Sequence, residues 1–174
     1  MNTTAFNFPK PLKKTEFYSF LAAGLLGVLF HFIYEWSGNK LIVGFFSPVS
    51  ESTWEHLKLV FFPILLVSVA EYIIGNFQDS CFFCVKLKSA LLGMVSVIVL
   101  FYTYSGILGQ NIDWVNITIY FISMAIAYLY SYKKLSTNST ACNFTFCIIG
   151  TTILIIIFMI FSVYPPGIGL FQAP

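Results

Sequence analysis

The sequence predicts an all-α integral membrane protein of about five transmembrane helices, with a re-entrant outer loop between the first two. Three observations carry that expectation: a composition too apolar for a water-exposed surface, five apolar runs of bilayer length, and lysines gathered at one side of those runs.

Of the 174 residues, 58% are hydrophobic and only 9% are charged. A soluble domain carries roughly a quarter charged residues, so this chain lacks the polar groups to wet its own surface, and lipid must cover it. A net charge of +2, spread over scattered lysines, excludes nucleic acid as a partner. All the basic residues are Lys and none is Arg, which removes the fork that grips phosphate or carboxylate in two places.

Each crossing needs about 20 apolar residues. Runs of that kind occupy residues 17–36, 54–77, 87–104, 114–132 and 144–164, so the chain reads as one polytopic membrane domain. The basic run Lys10, Lys13 and Lys14 precedes a full-length apolar span with no small-residue cleavage site behind it, so the first span is expected to stay. The second run contains Pro63 and Glu71.

Short cytoplasmic loops collect lysine. With five spans, Lys10, Lys13, Lys14, Lys86, Lys88, Lys133 and Lys134 fall on one side, leaving Lys40 and Lys58 opposite. The expected topology is therefore a multi-pass protein of the cell membrane with a cytoplasmic N-terminus and an extracytoplasmic C-terminus. Trp36, Trp54 and Trp114 then all lie at outer span ends, where indoles favour the headgroup level. Cys81, Cys84, Cys142 and Cys147 fall on or near the cytoplasmic side, so they are expected to remain thiols packed as small apolar side chains.

Ionisable residues within lipid depth are costly and point to function. His31 and Glu35 are four apart and share a helix face, with His31 roughly 7–8 Å below the outer interface. The segment from Ser47 to Lys58 holds Glu51, Glu55 and His56. Two histidines and three carboxylates are the donor types used for zinc or another divalent metal. His31, Glu35 and His56 are the first candidate ligands, with Glu51 or Glu55 as a further ligand or general base. Two other readings stay open: a polar pocket for a small solute or proton, and purely structural roles. Ser52 and Glu55 match a capping box opening the second span, and Lys58 is placed to neutralise one acid or to snorkel.

Tyr102, Tyr104 and Asp113 are candidates for lining the same outer pocket, with Trp36 and Trp54 beside it. Glu71 lies on the inner half of the second span, placed either for a translocation path or for pairing with Lys86 or Lys88. The apolar run Leu41 to Phe46 predicts that loop 37–48 dips back into the interface, which requires protein to cover its backbone. After the last span, Tyr164-Pro-Pro-Gly stops the helix, and the apolar tail to Pro174 is placed to lie over the outer face as a lid.

The run Val43 to Pro63 with its core Glu51-Ser-Thr-Trp-Glu55-His56-Leu-Lys58, the stretch Tyr102 to Gly109, and the ending from Tyr164 to Phe171 resemble a family of small uncharacterised bacterial membrane proteins. The resemblance runs from His31 to the tail and implies a membrane protein with no assigned activity. The chain departs from the family pattern at Ser50, where the family has Asn, and at Ala173, where it has an acid.

Three functions follow as expectations. The first is binding of a small solute or ion, as a transporter or its membrane subunit. The second is a membrane-embedded divalent-metal hydrolase, and the third a non-catalytic structural subunit. Five spans make a small bundle, so transport calls for a second copy or a partner subunit.

Overall fold

A computed structural model of the protein describes residues 12–74, 81–137 and 142–174. The described chain is all α: α1 (Leu12–Trp36), the single turn α2 (Leu41–Gly44), α3 (Thr53–Ile74), α4 (Cys81–Leu108), α5 (Asp113–Thr137) and α6 (Phe144–Val163), followed by a 3₁₀ turn at Gly169–Phe171. The five long helices are each long and apolar enough to cross a membrane, which fits a multi-pass membrane protein. Lys10 and the expected end of the second run, at 75–77, lie outside the described residues.

The helices match the apolar runs in order but extend beyond them. α4 begins at Cys81, six residues before the predicted start at 87, and runs for 28 residues. Lys86 and Lys88 delimit the apolar run without ending the helix, because Lys is a good helix former. At about 1.5 Å per residue α4 is roughly 42 Å long, beyond the hydrocarbon thickness of about 30 Å.

α1, α3, α4 and α5 close a ring of four neighbours, with α1 on α3, α3 on α4, α4 on α5 and α5 back on α1. α3 contributes more to the main core than any other helix, burying Val60, Phe61, Phe62 and Ile64 against Ala23, Met94, Met124 and Ala127. Its composition explains why: it is apolar all round, as a helix enclosed by neighbours must be.

α1 packs tightly at Gly27, where a Cβ would meet both the Tyr120 hydroxyl of α5 and the backbone of α3. A Cβ there would stand 2.6 Å from the Leu59 carbonyl oxygen. That carbonyl is special, because Pro63, four residues on, has no N–H to donate back to it. The freed oxygen faces the one residue type that lets another backbone come so near.

α6 sits outside the ring, against α4 and lightly against α3, and only Phe158 of it is buried. At one end it is tied to α4 by two disulfides, Cys81–Cys142 and Cys84–Cys147. The expectation of four unpaired thiols is thus corrected. Cys81 and Cys84 stand one turn apart on α4, and packing brings Cys142 and Cys147 to Cα distances of 5.6 and 5.3 Å from them, within the reach of a disulfide.

Candidate functional site

The chain leaves α1 through Gly38 and Asn39, both at positive φ, and returns through α2 to Ser52. The returning segment is pinned by Lys58. Its ammonium donates to the carbonyls of Gly44 at 2.7 Å and Ser47 at 3.3 Å, and to the Glu55 carboxylate at 2.6 Å. The Phe46 ring packs on Phe62, with centroids 5.2 Å apart. Phe62 lies nine residues into α3, so the returning segment packs against that helix.

Ser52 begins α3 by accepting the Glu55 N–H at 3.3 Å. The capping box is only half formed, since the Glu55 carboxylate accepts the Val49 N–H instead and ion-pairs with Lys58. Glu55 is therefore buried and fully engaged in holding the loop. Glu35 is exposed. One further turn along α1 carries it about 6 Å beyond His31, away from the cluster.

The residues brought together are His31, Glu51 and His56. Each offers one donor atom, and the three atoms lie within 4.8 Å of one another. The two imidazole rings are tilted against each other with centroids 5.3 Å apart. His56 Nδ1 lies 2.9 Å from the Ser52 carbonyl oxygen, which only accepts, so Nδ1 carries a proton. Its Nε2 faces Glu51 Oε2 at 3.4 Å. A backbone carbonyl orienting the far nitrogen is the arrangement that fixes metal-binding histidines. His31 Nδ1 is buried with no hydrogen-bond partner among the described residues. The neighbouring His56 holds the Glu51 carboxyl below the usual carboxylate range, against the opposing effect of partial burial.

The cluster opens on a cleft of about 690 Å³ between α1, α3, α4 and α5, lined also by Asn111, Asp113, Asn116, Tyr120 and Pro174. Asn116 and Tyr120 carried no expectation of their own. Their spacing from Asp113, at i+3 and i+7, marks one helix face and was the available signal. Tyr104 stands behind this wall, its hydroxyl bonded to Asn111 and Asn116, and Tyr102 lies outside the cleft and is exposed. Trp36 is exposed and stacks on Phe32. Trp54 departs from an interfacial indole: its ring is enclosed by Phe158, Phe161 and Phe171, so the tail folds back onto the start of α3. Glu71 lies at the other end of the bundle, 2.8 Å from Lys86.

A family model, described as a family of unknown function, matches residues 6–174. The chain belongs to DUF6512. No curated protein and no solved structure matches it. For this DUF6512 protein, function therefore has to be argued from its own geometry.

Proposed function

We propose that this DUF6512 protein is a single membrane-embedded unit that binds a divalent transition metal, zinc being the type case, through His31, Glu51 and His56 at the mouth of the outer cleft. The observation that carries the reading is the meeting of three donor atoms within 4.8 Å, with His56 oriented by the Ser52 carbonyl. Two imidazoles and a carboxylate suit such an ion, and the cleft beside them admits small solutes. Carriage across the bilayer would call for a second copy or a partner subunit.

A second reading, metal-dependent hydrolysis, is favoured by one feature. Three protein donors are one fewer than a tetrahedral zinc takes, and catalytic zinc sites use that number; the cleft lies beside them. In that reading the bound metal would polarise a substrate carbonyl or activate water, and Asp113, Asn116 and Tyr120 would orient the substrate.

In the proposed topology, which the lysine bias supports, the Lys86 and Lys133 end lies in the cytoplasm and the cleft outside, with loop 37–48 re-entrant along α3. Cystines are uncommon in the cytosol, so the two signals oppose each other at that end. An impermeant thiol reagent applied to intact cells after reduction separates them, and no labelling of Cys81 or Cys142 is the expected result.

Elemental analysis of protein purified without chelator tests the metal. Wild type is expected to carry about one divalent ion per chain, lost in His31→Ala and His56→Ala and kept in Glu35→Ala. No metal in wild type would overturn the reading.

A further inference from the structure

At the end of the bundle away from the cleft, α1, α3 and α4 each place one ionisable side chain in the same buried volume. Lys86 Nζ lies 2.7 Å from Glu16 Oε1 and 2.8 Å from Glu71 Oε2. Glu16 and Lys86 are each 3% exposed and Glu71 is 8% exposed. Two carboxylates against one ammonium leave one negative charge uncompensated. An unpaired charge in an apolar interior is expensive, and a group in that position neutralises instead.

The hydrogen bonds distinguish the two acids. Glu71 Oε1 accepts the Ser19 hydroxyl at 2.6 Å, and its Oε2 stands in ion-pair contact with Lys86 at 2.8 Å, outside hydrogen-bond geometry. Glu16 is engaged at Oε1 alone. Its Oε2 is buried and has no partner among the described residues. α5 brings two further buried hydroxyls to this end, Ser131, which interacts with the Glu16 side chain, and Tyr128, and neither makes a hydrogen bond of full geometry among the described residues. The Tyr128 ring lies 5.0 Å from Lys86 Nζ. Of the other titratable groups described at this end, Lys13, Lys14, Lys88 and Lys133 are exposed, Lys134 faces the Tyr130 ring, and Tyr72 packs on Phe82 and Phe83. Among the described residues only Lys86 is ion-paired with Glu16 and Glu71.

We propose that this cluster is a proton-binding site, holding one exchangeable proton on Glu16 Oε2 between the carboxyl pair and the Ser131 and Tyr128 hydroxyls. With the proton present, a neutral acid, a carboxylate and an ammonium sum to zero, and the unpartnered oxygen becomes a donor to a hydroxyl that needs one. Release of the proton leaves Lys86 shared between two carboxylates.

Infrared spectroscopy of the full chain in lipid nanodiscs, with ¹³C-labelled glutamate to identify the band, tests this directly. At neutral pH the wild type is expected to show a protonated-carboxyl stretch that fades on alkaline titration. Glu16→Gln removes it by removing the acid. Glu71→Gln is expected to remove it as well, although Glu16 remains, because a single carboxylate balances Lys86 without a proton. Ser131→Ala, which spares every charge, is expected to keep the band and shift its frequency. A wild-type spectrum without the band at neutral pH overturns the proposal, as does a band that survives Glu71→Gln. The wild-type titration decides even where a variant fails to fold, and it is independent of metal at the cleft.

Discussion

Lys58 Nζ lies 2.6 Å from Glu55 Oε2, and neither side chain reaches solvent. The pair is not isolated, because Ser162 of α6 accepts from the same ammonium and donates to Glu55. One ion pair thereby joins the returning loop, α3 and α6. Lys58→Met leaves a buried carboxylate alone and is expected to destabilise by about 3–5 kcal/mol. Adding Glu55→Gln should restore a good part of that loss. Unfolding in mixed micelles measures both, and a double variant no more stable than the single would refute the coupling.

Gly27→Ala forces a methyl to within 2.6 Å of a backbone oxygen on α3. A backbone cannot yield as a flexible side chain does, so a cost of about 1–3 kcal/mol is expected. Gly106→Ala is the control: nothing lies within 4 Å of a Cβ there, and the change is expected to be neutral or to stabilise by up to about 1 kcal/mol. Equal thermal shifts for the two would count against the close crossing.

The two disulfides close loops of 61 and 63 residues in sequence separation. Each is expected to contribute about 2–4 kcal/mol, concentrated on α6, which otherwise has little buried surface. Reduction should lower the melting temperature and open the α4–α6 connection to protease while leaving the α1–α5 ring resistant. Digestion with and without reductant, read by mass spectrometry, checks both.

Glu51 is held below its ordinary range in the folded state, so its pairing with His56 favours the fold above the ordinary carboxylate value, near pH 4.3. That contribution fades as pH falls through the ordinary value towards the lower folded one. Glu51→Gln is expected to flatten the acid limb of the stability profile between about pH 5 and 3, and an unchanged limb would remove Glu51 from the pairing. The effect is small, because the Glu51 side chain is largely exposed.

The helix order was legible because lipid-length apolar runs have few other uses. The metal candidates were legible in part. Histidine is scarce here, and both histidines fell near one outer face, so His31 and His56 stood out before any contact was known. Periodicity misled for Glu35: sharing a face with His31 says nothing about depth, and one turn outward was enough to lose the cluster. Glu55 was legible as a capping residue, but its carboxylate is committed to Val49 and Lys58, a tertiary choice that the motif does not encode. Glu16 carries no such signal, because it follows Lys13 and Lys14 closely, where an acid has the look of an interfacial residue. Only the register between α1, α3 and α4 brings it to Lys86, and no local pattern specifies that register.

The crossing of α1 and α3 at Gly27 and Leu59 also divides the molecule unequally. His31 and His56 lie three to four residues from it, about 5 Å along the axes, whereas Glu16 and Glu71 lie eleven and twelve residues away on the other side, about 17 Å. α1 and α3 also touch on either side of that crossing, at the His31–His56 rings and at the Ser19–Glu71 hydrogen bond, so one pair of helices ties the histidine cluster by a short span and the carboxyl cluster by one about three times as long.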